Sequence, residues 1–151
     1  QIGNIMKKLF ILAIMSLCMT SCGVTASLYY WGGTRNGFTT YDHLAYKHTD
    51  KQTPEFICKL ICMYEDMIKH PGGTRMAIPP GICAEYGYLL LNPENAEIFA
   101  KHATAAQRRT FKSTDYSVSF PEMGKKLLLM EIELYPESAK FLEPLIERLC
   151  N

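Results

Sequence analysis

The sequence predicts an all-α fold, and three observations support that prediction. Apolar residues recur every three or four positions between residues 54 and 70, which is the period of an amphipathic helix. A second apolar run of helical length follows Pro121. No segment shows the alternation of apolar and polar residues typical of a β-strand with comparable strength. We therefore expect helices packed around the core of a single domain.

The chain ahead of these helices has the three parts of a secretory signal peptide. Lys7 and Lys8 precede an apolar run at residues 9–19, and small residues follow it. As a helix the run would be only about 16 Å long, too short to cross a hydrocarbon core of roughly 30 Å. We interpret residues 1–5 as an over-extended start, with Met6 as the true initiator.

Residues 19–22, Met-Thr-Ser-Cys, resemble the lipobox of bacterial lipoproteins, in which the cysteine thiol receives diacylglycerol. This resemblance implies lipidation at Cys22 and a stable membrane anchor, since several acyl chains bind a bilayer far better than one. Gly23, rather than Asp, follows the cysteine and implies sorting to the outer membrane. The alternative is a plain secreted protein in which Cys22 has no role. We expect a signal peptide at 1–21, a lipidated tether at 22–27 and one helical domain at 28–151.

Charge and motif content argue against several function classes. The chain has 16 basic and 15 acidic residues and loses two lysines with the signal peptide, so it offers no general attraction to nucleic acid. It contains no Gly-x-Ser-x-Gly elbow, His-Glu-x-x-His motif or phosphate loop. We expect no cofactor, metal, small-molecule substrate or enzymatic activity. The remote alternative is a thiol enzyme at Cys83, where a helix start would lower the thiol pKa.

Four cysteines remain in the expected mature chain besides Cys22. Cys58 and Cys62 lie four residues apart, which puts both thiols on one face of a helix among apolar neighbours. We interpret them as core residues, because a buried cysteine behaves as a small hydrophobe. Two alternatives stay open: a disulfide from one of them to Cys83 or Cys150, and a metal or redox site. The scattered histidines are interpreted as solvated surface: His43, His48, His70 and His102.

The first half of the domain divides into three segments. The aromatic cluster at residues 28–33 is interpreted as a core anchor for the N-terminal segment, with an exposed binding patch as the alternative. A short helix is expected over Thr40–Lys47. The next helix begins at Thr53-Pro54-Glu55, where Thr is a good N-cap and Pro favours the first helical position, and Pro71-Gly72-Gly73 ends it.

The second half contains the remaining helices. We expect helices over 81–91, around 96–99, over Pro121–Leu134 and after Ser138, with Pro144 bending the last helix or shifting its start. Residues 101–119 form a polar interlude in which 103–109 adds a helical turn or two. Because this interlude is the least core-like part of the chain, it is the predicted interaction surface: Arg108, Arg109, Lys112 and Asp115.

The helix pair that follows residue 81 is similar to a tetratricopeptide repeat. Residues 84–91 match its first helix, and Gly87 would let the second helix come close. Leu128 and Pro136 match a bulky position and the closing proline of the second helix. Residues 92–120 separate the two helices, so we expect tetratricopeptide-like hairpins with an inserted loop and helix segment. The helix at 54–70 would supply part of a preceding repeat.

Four motifs behind the lipobox resemble the small bacterial lipoproteins grouped as domain of unknown function 4810. They are Leu-Tyr-Tyr-Trp-Gly at 28–32, Pro-Pro-Gly at 79–81, Ala-Glu-Tyr-Gly-Tyr-Leu-Leu-Leu at 84–91 and Tyr-Pro-Glu-Ser at 135–138. The resemblance implies a helical assembly module that binds other envelope lipoproteins, one of them related to the curli secretion channel. A passive envelope or surface lipoprotein is the alternative.

Overall fold

The computed structural model describes residues 26–150, apart from the side chains of Arg35, His48, Thr49 and Cys150. The predicted signal peptide, Cys22 and most of the tether lie outside these residues. The described part is mostly helical, so the all-α prediction is confirmed. None of its helices is long and apolar enough to cross a membrane. Its elements are β1 Thr34–Arg35, β2 Phe38–Thr39, α1 Thr40–Asp50, α2 Pro54–Lys69, α3 Ile82–Leu91, α4 Pro93–His102, α5 Ala105–Arg108, α6 Tyr116–Leu134, a 3-10 turn Pro136–Ser138 and α7 Ala139–Cys150.

A short antiparallel hairpin precedes α1, although the sequence indicated no strand. Its turn is Asn36-Gly37, and both residues have positive φ angles, 53° and 81°. Such a turn suits the twist of paired strands, and Asn-Gly favours it. Thr39 then caps α1: its hydroxyl accepts from the Asp42 amide, while the Asp42 carboxylate accepts from the Thr39 amide. The hairpin and α1 therefore form one continuous local unit.

Helix α2 lies between α1 and α3 and supplies much of the core. It begins at Pro54, as predicted, although the Thr53 hydroxyl makes no capping hydrogen bond. Its buried residues fall on two adjoining faces, one packed on α1 and the other on α3 and α4. These residues are Ile57, Cys58, Leu60, Ile61, Met63, Tyr64, Glu65 and Met67.

Helices α3 and α6 form the closest helix pair of the domain. They run antiparallel, because Gly124 lies against Gly87 while Glu131 reaches back to Gly81, at the start of α3. Each glycine leaves no room for a side chain between the two backbones. The predicted close approach at Gly87 is thus present, and Gly124 is its partner.

Helix α6 begins at Tyr116, five residues before the predicted start at Pro121. Asp115 caps this earlier start by accepting from the Ser117 amide at 3.1 Å. Pro121 inside the helix removes one backbone donor. The burial of Tyr116 and Phe120 offsets that loss, since both are almost fully enclosed.

The predicted polar interlude is more closely integrated with the core than its composition indicated. Phe111 and Tyr116 join Phe99 and Phe120 in an aromatic cluster whose ring centroids lie 5.0–6.3 Å apart. Helices α4 and α5 occupy the rest of this insertion between α3 and α6. Phe99 and Phe111 therefore pack the segment between α3 and α6 onto Tyr116 and Phe120 of α6.

The chain ends in a 3-10 turn followed by α7. Pro144 lies inside α7 without ending it, and the predicted break before Ser138 is this turn. Leu142 packs inward, whereas Phe141 is 69% exposed.

Candidate functional site

A groove of about 750 Å³ opens between the hairpin, α1 and α2. We call it the α1–α2 groove. Its apolar lining includes Phe38, Leu44, Phe56 and Met63, and Phe38 is 68% exposed. Polar side chains line it as well: Asn36, Thr39, Thr40, His43, Lys59, Asp66 and Gln107. A groove that exposes a large apolar side chain beside polar ones is typical of a surface that binds another molecule.

Two lysines lie beside the Phe56 ring of this groove. The ammonium groups of Lys47 and Lys59 lie 5.2 Å and 5.4 Å from the centroid of the Phe56 ring. Asp66 is already paired, since it accepts from the Tyr30 hydroxyl at 3.0 Å and contacts the His70 ring at 2.9 Å. The two lysine ammonium groups therefore offer positive charge beside the Phe56 ring to a partner that carries acidic groups.

A ladder of aromatic rings connects the N-terminal segment to the core. Trp31, Tyr41, Tyr64 and Tyr86 follow one another with centroid separations of 5.1, 6.3 and 5.5 Å. Trp31 and Tyr30 pack against the core, as the core interpretation predicts. Leu28 does not fit the core interpretation, because this residue is 57% exposed.

Two carboxylates hold this ladder in place. Glu85 accepts from Tyr41 at 2.9 Å and from Tyr64 at 2.7 Å, and Glu65 accepts from Tyr86 at 2.9 Å. Burial is the main cause that raises the pKa of each of these tyrosines, and the neighbouring carboxylates raise it further. The phenols therefore stay protonated as donors at neutral pH, and their hydrogen bonds link α1, α2 and α3.

The cysteines with described side chains are free thiols, so the disulfide alternative is not formed among Cys58, Cys62 and Cys83. Cys58 and Cys83 are buried and Cys62 is partly buried at the groove. Burial raises the pKa of Cys62 to about 11 and of Cys83 to about 12. The lowered pKa expected for Cys83 at a helix start is therefore wrong, because desolvation and the nearby Glu131 charge both oppose ionisation.

Glu131 is a buried carboxylate that the sequence analysis did not single out. Its two oxygens accept from the amides of Gly81 at 2.7 Å and Cys83 at 3.2 Å, at the N-terminus of α3. Unpaired amides at a helix N-terminus favour a negative charge. This group is structural, and no local signal marks it, because its partners lie about 50 positions away in the chain.

The predicted interaction residues Arg108, Arg109, Lys112 and Asp115 all lie at the surface. The structure brings Arg108 and Arg109 together beside a depression of about 380 Å³. Arg108 also donates from Nε to the Ala103 carbonyl at 3.0 Å, and Asp115 caps α6. Arg108 and Asp115 are therefore exposed but also make hydrogen bonds that stabilise the local structure.

His43, His70 and His102 are exposed, as predicted. Among residues 26–150, no three His, Cys, Asp or Glu side chains are grouped in a way that could hold a metal ion. Phe38 and Lys59 of the α1–α2 groove were not selected from the sequence. The Asn36-Gly37 dipeptide is the signal that could have identified the hairpin carrying Phe38.

Comparisons with known proteins give no match to a protein-family model, to a curated protein or to a solved structure. The resemblance to small envelope lipoproteins therefore rests on the four sequence motifs and the lipobox. Membership of that family stays a prediction.

Proposed function

We propose that this chain is an outer-membrane lipoprotein whose helical domain binds another envelope lipoprotein through the α1–α2 groove. The groove carries the proposal, since it combines an apolar lining with two lysines at the Phe56 ring. The expected ligand is a segment with a large apolar side chain next to acidic residues. Lipidation at Cys22 would place the domain at the membrane where such partners reside.

The arrangement of α3 and α6 supports a tetratricopeptide-like interpretation of the domain. The two helices are antiparallel, a small residue lies at their contact, and Leu128 is fully buried. Pro136 follows the second helix, as the repeat pattern requires. Under this interpretation α4 and α5 are an insertion between the two helices of one repeat.

The first test is a crosslinked pull-down of the full-length acylated protein from native bacterial membranes, analysed by mass spectrometry. We expect other envelope lipoproteins to be enriched and to be lost with Cys22→Ser, which should also lose incorporation of labelled palmitate. A preparation without any partner would instead favour the passive envelope lipoprotein. Continued palmitate labelling of Cys22→Ser would contradict the predicted lipidation site.

A second test distinguishes the α1–α2 groove from the surface predicted by the sequence. Lys59→Glu reverses a charge at the groove, Lys112→Glu reverses one on the predicted surface, and Lys126→Glu does so at an exposed position of α6. We expect only Lys59→Glu to reduce partner capture. Loss of capture with Lys112→Glu alone would move the site to the surface around Arg108 and Arg109.

A further inference from the structure

We propose that one end of the domain, formed by Leu28, Arg75 and Met76, lies against the surface of the lipid bilayer. We call it the membrane end. This inference rests on the lipid anchor of the proposed function and adds the orientation of the domain. It follows from where the chain is held, how far the tether can reach and which side chains surround that point.

The N-terminal segment is held to the domain directly after the predicted tether. The amides of Thr74 and Arg75 donate to the carbonyls of Ser27 and Leu28, both at 3.0 Å. Gly73 makes this contact possible, because a side chain there would come within 2.5 Å of the Leu28 oxygen. The point at which the tether leaves the domain is therefore set by paired backbones.

The tether between that point and the predicted anchor is short. Ser27 is the fifth residue after Cys22, so even a fully extended chain between them spans at most about 18 Å. Helix α6, with 19 residues, is about 28 Å long. The domain is thus longer than its tether, and an acylated Cys22 would keep the membrane end near the bilayer.

The side chains at the membrane end suit the boundary between water and lipid. Leu28 is 57% exposed and Met76 is 71% exposed, and the hydrogen bond from Arg75 to Leu28 makes them neighbours. Met76 has a φ of 48°, an uncommon conformation for a long apolar side chain. The Arg75 guanidinium donates to the Tyr29 hydroxyl at 2.9 Å and lies over its ring. Arginine and tyrosine both place an apolar body beside a polar tip at bilayer interfaces.

The N-terminal end of α6 lies far from the membrane end. The Tyr135 hydroxyl donates to the Ile78 carbonyl, which places the C-terminal end of α6 beside the 71–78 loop. Val118 lies near the other end of α6, about 24 Å along the helix from Leu134, and is 55% exposed. Val118 is therefore a matched control position: apolar, exposed and distant from the membrane end.

The experiment is photocrosslinking to lipid with the full-length acylated protein. A benzophenone amino acid replaces Met76, Leu28 or Val118 in separate variants, each checked for native helicity by circular dichroism and for incorporation of labelled palmitate. The proteins are reconstituted into vesicles of phosphatidylethanolamine and phosphatidylglycerol and irradiated, and lipid adducts are quantified by mass spectrometry. We expect the adduct yield at Met76 and Leu28 to exceed that at Val118 several-fold.

The outcomes separate this inference from the anchor on which it rests. Palmitate labelling with equal yields at the three positions, or with the highest yield at Val118, would overturn the orientation and leave the anchor intact. Absence of palmitate labelling would refute the anchor, and the orientation with it. If the Met76 variant does not fold, the comparison of Leu28 with Val118 decides the question.

Discussion

Gly87 and Gly124 face each other where α3 and α6 pack together, and a methyl group on either would lie 2.8 Å from the carbonyl oxygen of the other. Each methyl group would also meet a leucine of the opposite helix, Leu128 or Leu91, at 2.9–3.0 Å. The contact is symmetrical and involves backbone on both sides. Neither position can therefore accept a side chain unless one helix moves.

We expect Gly87→Ala and Gly124→Ala each to lower the free energy of unfolding by about 1–3 kcal/mol, the usual cost of overpacking a core. The sign of this change in unfolding free energy is informative, because alanine in a helix is otherwise favoured over glycine by roughly 0.8–1.0 kcal/mol. Urea unfolding measures the change. Ala100→Gly, at an exposed position of α4, is the control and should show only the propensity cost. A stabilised Gly87→Ala protein would show that α3 and α6 do not approach this closely.

The Glu131 carboxylate should stabilise the start of α3. Glu131→Gln keeps the shape but turns an amide donor toward the amides of Gly81 or Cys83, so we expect a loss of about 1–3 kcal/mol in unfolding free energy. Glu133→Gln, two residues further along α6 and exposed, is the matched control. Equal stability of the two variants in urea would mean that Glu131 does not cap α3.

The buried thiols should make the protein less stable at alkaline pH. Burial raises the pKa of Cys83 from 9.0 to about 12, so the folded state resists ionisation that the unfolded state accepts. The stability of the folded state is therefore undiminished by this thiol below pH 9, and it falls as the pH rises from 9 toward 12. Urea unfolding at a series of alkaline pH values measures this fall, and Cys83→Ala should flatten it. A curve that is identical for the variant would contradict the raised pKa.

Alkylation tests the partly buried thiol separately. Burial raises the pKa of Cys62 to about 11, and only the thiolate is nucleophilic, so we expect slow reaction with iodoacetamide at neutral pH. The rate should rise steadily up to about pH 11. Protein unfolded in urea is the control, and its cysteines should react with an ordinary thiol profile. A fast reaction of Cys62 at pH 7 in the folded protein would instead support the redox alternative for this cysteine.

Asp115 should affect folding, whatever its part in binding. Its pKa is lowered chiefly by the Ser117 hydroxyl, so the cap is complete above the ordinary pKa of 3.8 and weakens as the pH falls through the lowered value. We expect Asp115→Ala to lower the melting temperature and Asp115→Asn, which still caps, to restore most of it. If Asp115→Asn loses partner capture at full stability, the carboxylate contacts a partner directly.

The local signals in the sequence were sufficient for most helix boundaries. The Thr53-Pro54-Glu55 start, the Pro71-Gly72-Gly73 stop and the end of the 81–91 helix all appear in the structure close to their predicted positions. Capping residues, proline and glycine act on their own backbone, so their effect is visible in the order of the residues. The close approach at Gly87 was predicted from the similarity of residues 84–91 to the first helix of a tetratricopeptide repeat.

The tertiary structure decided what these signals could not. Tyr116 starts α6 ahead of Pro121 because Phe99 and Phe111 provide a place to bury it. Glu131 is buried because the amides at the start of α3 meet it, and the α1–α2 groove exists because the hairpin, α1 and α2 leave space between them. Helical period and backbone preference are properties of neighbouring residues. Burial of a charge or a ring depends on partners that are distant in sequence, and only the folded chain brings them together.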